Sequence, residues 1–423
     1  MQRRQFIGQA SAALASLSAV PFSGAASTDD SRPPFAEPPR LVPIQARPDR
    51  IIDVSVCTRP FRPQGPRIEA QQLRQQTVIH NYGHGGSGWS LSWGSAWLAV
   101  RLAQAAGHKR LAVIGCGAIG LTSARMAQRA GLRVRIYCRE RPPEVRSSAA
   151  TGVWSPDSRI CTEAHATPEF QQRWEAMARY SFRTYQSLLG LAGEPVEWRD
   201  GYVLSDTPFD QPPAGGSVPE ASPEPDYPDL EALLSDIRPR SQALARDQHP
   251  FAVPYARRYS QMVFNLPSYT RLLMDDFFRE GGEIEQREFS SPRQFVGLKE
   301  RTLINATGYG ARALWGDDSI IPVRGQTARL IPQPGVNYGI TYRGHNLSVV
   351  PRRDGILVQA QPDGDFGNAD STPDRAASDA AVHRPAALFA RQVLKAQVTG
   401  AGLNSTSALC SFHCSAQVLR RPL

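Results

Sequence analysis

The pattern of apolar and polar positions in residues 111–138 predicts a strand, a helix and a second strand. The apolar run at residues 111–114 has the length of a buried strand, and residues 121–128 follow a helical pattern. Gly131 stands where helices commonly end. Residues 133–138 form the second strand-like run, so this segment predicts a βαβ unit of a parallel sheet.

The turn between the first strand and the helix carries the motif GxGxxG, formed by Gly115, Gly117 and Gly120. Gly115 permits a tight turn, Gly117 lets the backbone approach a pyrophosphate, and Gly120 allows the helix to pack closely. The helix N-terminus adds N–H groups and partial positive charge for the phosphates. Glu140, after Arg139 at the end of the second strand, has the spacing of a carboxylate that binds an adenosine ribose. The motif predicts dinucleotide binding; the alternative is a glycine-rich turn that serves packing alone.

Length and charge narrow the class of protein further. The 423 residues suggest two or three domains. Beyond the N-terminus we find no apolar run of 18 residues, so we expect no membrane-spanning helix. The net charge of +9 comes mainly from scattered arginines, with lysine at only three positions. We interpret this excess as a solvated surface and expect no nucleic-acid partner.

The first 27 residues have the layout of a cleavable signal peptide. An arginine pair at residues 3–4 precedes an apolar, alanine-rich stretch that reaches Val20, and small residues follow at 23–26. The arginine pair is typical of substrates of the twin-arginine export machinery. Because that route carries folded proteins, we expect a protein that acquires its cofactor first and is then exported to the periplasm or secreted. The alternative is a frayed N-terminal helix.

Segments rich in proline or small residues divide the rest of the chain. Residues 28–50 predict an extended linker, so that the fold begins near Ile51. Residues 205–228 predict a proline-rich surface loop, which is either a lid over a site or a disordered insertion. Residues 396–423 predict a loose tail.

The cysteines do not predict a metal site. Cys116 lies in the glycine turn and Cys138 at the end of the second strand, where buried free thiols are common. Cys410 and Cys414 flank a histidine, but the chain offers no second cluster to complete a four-ligand site. We expect either a local disulfide or two free thiols there.

Two motifs near the front of the chain match a known family, but in an inverted order. Residues 58–63 read TRPFRP and residues 80–89 read HNYGHGGSGW, and both precede the glycine motif. The blocks that follow it are residues 147–156, 201–204, 303–308 and 323–326. In these blocks the chain resembles the D-amino-acid oxidase family of FAD-dependent oxidases over most of residues 51–395. The order implies a circular permutation, which is tolerated where termini lie close together at the surface; a gene fusion or a misassembled reading frame is the alternative.

The resemblance implies an α/β fold with a Rossmann-like FAD-binding domain and a second, substrate-binding domain built on a mixed or antiparallel sheet. We place the front flavin-contact segment and the FAD-binding domain at residues 51–204. The substrate domain then spans residues 229–395 and includes a return segment of the FAD-binding domain at 303–330.

The resemblance also implies a chemistry, with FAD as cofactor and an amino acid as substrate. Arg59 matches the family arginine that pairs with the substrate carboxylate, and a guanidinium fork fixes orientation as well as charge. Hydride transfer from the substrate Cα to flavin N5 then gives an imino acid, which water converts to a 2-oxo acid and ammonia while oxygen becomes hydrogen peroxide. Two alternatives stay open: an amine or glycine-type dehydrogenase that uses another electron acceptor, and a non-catalytic flavin-binding protein.

Residues 85–90 match the family stretch that passes the flavin ring. A helix that begins near Ser90 would direct its first N–H groups at the ring edge where negative charge grows on reduction. We expect His80 and His84 to be structural residues rather than bases. The residues that the resemblance assigns to FAD are Gly85, Gly86, Ser87, Gly88, Trp89, Ser90, Gly115, Gly117, Ile119, Gly120, Arg139, Glu140, Ser147, Thr307 and Gly308.

The sequence departs from the family at the substrate site. The family commonly has a tyrosine before an apolar pair and a proline, and Ser348 takes that position here, where we expect it to contribute to the site. The glycine pair usual after the following strand is replaced by Gln359 and Ala360. The substrate carboxylate then depends on Arg59 alone or on a second arginine. The candidates for that second arginine are Arg343, Arg352 and Arg353.

Overall fold

The computed structural model describes residues 40–213, 224–360 and 364–389. The predicted signal peptide, residues 28–39, the centre of the proline-rich loop and the tail with Cys410 and Cys414 lie outside the described residues. The strands are β1 (Ile51–Phe61), β2 (Arg67–Leu73), β3 (Gln76–Tyr82), β4 (Arg110–Ile114), β5 (Arg133–Cys138), β6 (Val196–Ser205), β7 (Gln242–Leu244), β8 (Tyr255–Phe264), β9 (Glu283–Gln286), β10 (Thr302–Asn305), β11 (Ile321–Leu330), β12 (Tyr338–Tyr342), β13 (Leu347–Arg352) and β14 (Gly355–Ala360). The α-helices are α1 (Gly88–Ala105), α2 (Ala118–Arg129), α3 (Pro168–Gln186), α4 (Leu266–Arg279), α5 (Ala311–Trp315) and α6 (Arg375–Ala387). None of the described helices combines the length and the apolarity needed to cross a lipid bilayer.

The six-stranded sheet has the strand order β2-β3-β10-β4-β5-β9. All neighbouring strands are parallel except β2 and β3. Because β10 lies between β3 and β4, Leu303 pairs with Val78 on one side and with Ala112 on the other. The front of the chain therefore contributes strands to the same sheet as the glycine motif. The predicted strand at residues 133–138 is confirmed as β5, and the predicted helix at residues 121–128 lies within α2.

Helix α1 anchors the loop that precedes it. The helix packs against α2 and α3 and contacts β3, and Trp93 on it is fully buried. A helix that packs on several sides is apolar around most of its circumference. Gly94 allows α3 to approach, because a Cβ at this position would clash with the backbone of Met177. The N-terminus of α1 is thus held firmly beside the six-stranded sheet.

The eight-stranded sheet has the order β1-β11-β14-β13-β12-β6-β8-β7, and its neighbours are antiparallel except for β12 and β6. One face packs with α6 on an apolar core that includes Tyr202, Tyr338 and Val382. Successive residues of a strand alternate between the two faces of a sheet. The residues that alternate with those of this core therefore point to the other face.

The packed fold begins earlier than the predicted start near Ile51. Ile44 and Ala46 are 3% and 1% exposed and belong to the core of the eight-stranded sheet. The Tyr338 hydroxyl donates a hydrogen bond of 2.7 Å to the carbonyl oxygen of Val42. The described part of the predicted linker is therefore packed, because its few apolar side chains are buried against the eight-stranded sheet. The composition of the linker itself does not indicate this contact.

The two sheets are built from alternating segments of the chain. β1 and all but the last residue of β6 fall within residues 51–204, yet both strands belong to the eight-stranded sheet. β9 and β10 fall within residues 229–395 and belong to the six-stranded sheet. β11 likewise leaves the return segment 303–330 for the eight-stranded sheet. The contiguous boundaries that we predicted do not follow the sheets, because the chain crosses between them repeatedly. The α/β class, with one mainly parallel and one mainly antiparallel sheet, is confirmed.

Candidate functional site

A cavity of about 820 Å³ is lined by residues that follow β4, β5 and β10 and by residues of β1 and β11. Its volume lies within the range of small-molecule and cofactor sites. Four of the predicted site residues, Ser87, Ser90, Gly120 and Ser348, do not line it in the described structure. The predicted residues that do line it are Arg59, Gly85, Gly86, Gly88, Trp89, Gly115, Gly117, Ile119, Arg139, Glu140, Ser147, Thr307 and Gly308.

The glycine turn forms one wall of the cavity. Gly115 has a φ of +111°, and a Cβ there would stand 2.5 Å from the carbonyl oxygen of Ala306. A Cβ at Gly120 would clash with the carbonyl oxygen of Gly115, so Gly120 serves helix packing rather than the cavity surface. A Cβ at Gly117, by contrast, would approach only Ser147 among the described residues, and the Ser147 Oγ accepts a hydrogen bond of 3.0 Å from the backbone N–H of Ala118. The turn therefore offers an open backbone next to a helix N-terminus.

Arg139 and Glu140 lie at the end of β5 and line the same cavity. The Arg139 Nε donates a hydrogen bond of 3.0 Å to the Glu140 carboxylate, and its Nη1 donates one of 3.3 Å to Glu288. The Glu140 side chain is 40% exposed, so its carboxylate remains accessible for further hydrogen bonds. This is the position at which a ribose ligand is expected in the glycine-motif fold.

The loop of residues 83–87 forms the opposite end of the cavity and is fastened by its own polar groups. The backbone N–H of Gly85 donates to the carbonyl oxygen of Pro60 (2.9 Å), and that of Gly86 donates to Ser158 (3.0 Å). Ser87 is the N-cap residue of α1, but its Oγ donates to the carbonyl oxygen of Ser158 (2.9 Å) instead of capping the helix. The first N–H groups of α1 have no intrahelical acceptors, as at every helix start, so they are available to a ligand.

Ser90 and Trp89 complete the fastening of this loop. The Ser90 Oγ accepts a hydrogen bond of 2.8 Å from the backbone N–H of Ser155, and the Trp89 indole N–H donates one of 2.9 Å to the carbonyl oxygen of Ser147. The hydroxyls of Ser87 and Ser90 therefore position the loop from behind. Only their backbone groups are left for a cofactor.

Arg59 projects from β1 over the neighbouring strand β11. Its Nη1 donates a hydrogen bond of 2.8 Å to the carbonyl oxygen of Arg324, and its guanidinium lies on the backbone of Gly325. Burial lowers the pKa of the Arg59 guanidinium, although arginine stays charged in proteins. Among the residues that the structure describes, the fork makes no other hydrogen bond, and a guanidinium fork can bind a carboxylate in two parallel hydrogen bonds.

The histidines of the front motif are neutral. Burial lowers the pKa of His84, which lines the cavity, to about 3, and lowers the pKa of His80 to about 4. His80 is held by hydrogen bonds to Gln71 (2.8 Å) and Asn305 (3.2 Å). Neither ring carries a positive charge at neutral pH.

The three arginines considered as additional carboxylate ligands are engaged elsewhere, and none of them lines the cavity in the described structure. Arg352 forms hydrogen bonds of 2.6 and 2.8 Å with Asp354. Arg353 pairs with Glu197 at 3.1 Å. Arg343 donates a hydrogen bond of 3.3 Å to the carbonyl oxygen of Pro208.

Sequence reasoning missed some residues of the cavity wall. Thr327 on β11 is 3% exposed and lines the cavity, two residues beyond Gly325. The Arg146 guanidinium lies 5.0 Å from the centre of the Tyr309 ring, and both side chains line the cavity. Arg146 and Tyr309 adjoin the predicted residues Ser147 and Gly308, so proximity in sequence was the available signal.

The cysteines of the described part of the chain are free thiols: Cys57, Cys116, Cys138 and Cys161. Among the described residues no group of three or more His, Cys, Asp or Glu side chains is arranged to hold a metal ion. Cys410 and Cys414 lie outside this part of the chain, so their state stays a prediction.

Comparison with known families decides the class of this site. The family model described as DAO, FAD dependent oxidoreductase, matches residues 110–410, which is more than half of the chain. This chain belongs to that family. It is 29% identical over 291 residues to a D-amino-acid oxidase of Rubrobacter xylanophilus, which covers 67% of this chain and 78% of that protein. Over 91 residues it is 43% identical to a D-aspartate oxidase of Cryptococcus neoformans, covering 21% of this chain and 22% of that protein.

Among solved structures, a glycine oxidase from Geobacillus kaustophilus aligns with a TM-score of 0.48 and 16% identity, covering 66% of this chain and 78% of that one. The cofactor of the DAO family is FAD, and this protein is an FAD-dependent oxidoreductase.

The residues of the cavity fit FAD. The open backbone at Gly117 and the N-terminus of α2 would hold the pyrophosphate, next to the Ser147 hydroxyl, which accepts from the Ala118 N–H. Glu140 would accept hydrogen bonds from the ribose. The first N–H groups of α1 would stabilise negative charge on the flavin ring. The cavity joins these groups to Arg59 without interruption.

Proposed function

We propose that this member of the DAO family oxidises D-amino acids. The observation that carries the proposal is the Arg59 guanidinium, which lines the same cavity as the glycine turn and makes one hydrogen bond, to the carbonyl oxygen of Arg324, within the described part of the chain. A cationic fork next to a flavin cavity suits a substrate with a carboxylate next to the reacting carbon. The similarity to a D-amino-acid oxidase of Rubrobacter xylanophilus supports this substrate class.

Positioning supplies much of the rate in this proposal. Arg59 binds the substrate carboxylate and so fixes the orientation of the adjacent Cα–H bond. His84 is neutral, so it adds no positive charge to that of the arginines that line the cavity. Bound FAD supplies the hydride-accepting chemistry. The overall reaction converts amino acid, water and oxygen to 2-oxo acid, ammonia and hydrogen peroxide, so the Cα carbon is oxidised and oxygen is reduced.

The test is an absorbance spectrum of the purified FAD-loaded protein, recorded without oxygen before and after addition of D- and L-amino acids. We expect a D-amino acid to bleach the flavin band, and Arg59→Ala to abolish this at the same concentration while FAD stays bound. The matched control is Arg133→Ala, which changes an exposed arginine of β5. A band that no D-amino acid bleaches would overturn the proposal.

Admission of oxygen to the reduced protein distinguishes an oxidase from a dehydrogenase that uses another electron acceptor. Return of the flavin band together with one equivalent of hydrogen peroxide indicates an oxidase. A band that stays bleached in air and returns with an artificial acceptor indicates a dehydrogenase. A bound flavin that neither amines nor amino acids bleach indicates a binding protein.

We also propose that residues 1–27 direct export through the twin-arginine machinery, so that the protein is periplasmic or secreted, because an arginine pair precedes an apolar stretch and then small residues. Replacement of Arg3 and Arg4 by Lys should retain the protein in the cytoplasm.

We further propose that the inverted order of motifs is a circular permutation. It is supported by the position of β3, which precedes the glycine motif in the chain and lies in the same parallel sheet.

A further inference from the structure

A polar cluster behind the cavity wall joins the two front motifs to a later part of the chain. It consists of Arg62, Arg67, Tyr82, Asp317 and Ser319. The Tyr82 hydroxyl donates a hydrogen bond of 2.8 Å to the Asp317 carboxylate and accepts one of 2.9 Å from Nη1 of Arg67. The Nε of Arg62 lies 3.4 Å from the same carboxylate oxygen and donates a hydrogen bond of 3.0 Å to the Ser319 hydroxyl. Asp317 therefore contacts one residue of each front motif.

These two contacts flank Gly83, the first residue of the loop 83–87 that forms one end of the cavity. Tyr82 directly precedes Gly83 in the chain. The stem of Arg62 lies on Gly83 from the other side, because a Cβ at this position would clash with the Cδ of Arg62. Gly83 also has a φ of +86°, and the Nη1 of Arg62 donates a hydrogen bond of 2.9 Å to the carbonyl oxygen of Gly65. The start of the loop is thus held by Tyr82 and by Arg62.

Asp317 lies behind the cavity wall. Tyr82 and Gly83 line the cavity, whereas Asp317 is not among its lining residues in the described structure. The side chains of Asp317 and Arg62 are 11% and 14% exposed. Burial raises the pKa of Asp317, but hydrogen bonds from Ser319 and Tyr82 and the charge of Arg62 outweigh it and hold the pKa below its usual value. Asp317 is therefore ionised at neutral pH and acts on the cavity only through its neighbours.

The loop passes its position directly to helix α1. Only residues 84–86 separate Gly83 from Ser87, the N-cap residue of α1. A displacement at Gly83 therefore has few bonds over which it can be absorbed. The partial positive charge at a helix N-terminus falls off within the first turn, so its effect on a bound flavin depends closely on where the helix begins.

We propose that Asp317 is a positioning residue of the flavin site. Through Tyr82 and Arg62 it holds the loop 83–87 where the N-terminus of α1 stabilises the negative charge of the reduced flavin. The inference rests on FAD, the cofactor of the family, and not on the substrate proposed above. Its tests therefore need no substrate, and their failure would leave the proposed function as it stands.

The experiment compares FAD-loaded Asp317→Asn with the wild type by the flavin midpoint potential, measured by dye equilibration without oxygen. Asparagine keeps the size of the side chain but removes the charge that pairs with Arg62. The equilibrium constant for two-electron reduction of the flavin should fall about 5- to 10-fold, which lowers the midpoint potential by about 20–30 mV. The FAD Kd from fluorescence titration should rise about 10-fold, the equivalent of one lost hydrogen bond.

Asp200→Asn is the matched control. It removes a partly buried carboxylate that pairs with Arg258 at 2.9 Å on the eight-stranded sheet, and neither residue lines the cavity in the described structure. This variant should keep the midpoint potential and the FAD Kd of the wild type, although it also loses an ion pair. The comparison separates an effect on the flavin from a loss of stability alone.

Tyr82→Phe is a milder variant that decides the question if Asp317→Asn does not fold. It removes the hydroxyl that binds Asp317 and keeps the ring in the cavity wall. The midpoint potential should fall in the same direction but by less. In the double variant with Asp317→Asn, the loss of the hydroxyl should add little, because both changes act through the same contact.

A wild-type midpoint potential in both Asp317→Asn and Tyr82→Phe would overturn the inference. An unchanged potential together with a lower Tm would do so as well, because Asp317 would then stabilise the fold without positioning the flavin loop. A shift of the same size in Asp200→Asn would show that the loss of any such ion pair has this effect, and it would also overturn the inference.

Discussion

The Arg59 guanidinium lies flat on the backbone of Gly325, and a Cβ at Gly325 would clash with its nitrogens. Glycine is therefore required at this position of β11 for the observed orientation of Arg59. We expect Gly325→Ala to displace the fork and lower kcat/KM for D-amino acids about 100-fold, since a misplacement of about 1 Å has effects of this size. FAD content should be unchanged. Gly297→Ala, where a Cβ meets no described atom within 4 Å, is the control for the substitution itself. Wild-type kinetics in Gly325→Ala would contradict this role.

Gly120→Ala should weaken FAD binding and destabilise the fold. A Cβ at Gly120 would clash with the carbonyl oxygen of Gly115, which forms the tight part of the glycine turn. Overpacking of this kind typically costs about 1–3 kcal/mol. The FAD Kd from fluorescence titration and the free energy of unfolding measure the two effects. If Gly120→Ala binds FAD as tightly as Gly297→Ala does, the turn tolerates the methyl group and the prediction is wrong.

The buried histidines predict acid sensitivity. Burial lowers the pKa of His249 to about 4, and its ring nitrogens have no hydrogen-bond partner among the described residues. Its pKa in the unfolded chain is about 6.5, so the unfolded state binds more protons between these values. The free energy of unfolding should therefore fall as the pH is lowered from about 7 to 4. His80 and His84 act in the same direction.

His249→Leu should reduce the number of protons that the chain takes up on unfolding by about one, so the free energy of unfolding should depend less steeply on pH. Urea unfolding at a series of pH values measures this slope. Its stability at pH 7 should be equal to or greater than that of the wild type, because the substitution removes buried polar atoms without a partner. Identical slopes for the two proteins would show that His249 is not protonated on unfolding.

Bound FAD should protect the Cys138 thiol from alkylation. Cys116 and Cys138 both line the cavity, and the neighbouring Cys116 thiol lowers the pKa of Cys138. A lower pKa increases the fraction of reactive thiolate. N-ethylmaleimide should therefore label Cys138 faster in the apoprotein than in the FAD-loaded protein, as measured by peptide mass spectrometry. Cys161 is the internal control, since burial raises its pKa to about 12. Equal rates for Cys138 with and without FAD would place the cofactor elsewhere.

The local sequence pattern was enough to predict the βαβ unit that carries the glycine turn. The strand, glycine turn, helix and second strand of residues 110–138 depend on interactions within a few residues, and periodicity and glycine spacing record such interactions directly. The family resemblance of the front motifs directed attention to Arg59 and to residues 85–90, most of which line the cavity.

Register and packing partners were decided only by the tertiary structure. Periodicity does not indicate that Ile44 is buried, because its partner surface is made of strands far along the chain. Nor does it indicate that Ser348 pairs with Gln359 or that Ala328 pairs with Val358. The side chains of a strand alternate between faces whatever its register, so the sequence predicts this alternation. It does not predict which residue of the adjacent strand each one is paired with. The sequence therefore determined the local elements and the class of cofactor, and the pairing of distant strands decided which side chains lie next to one another on each face of a sheet.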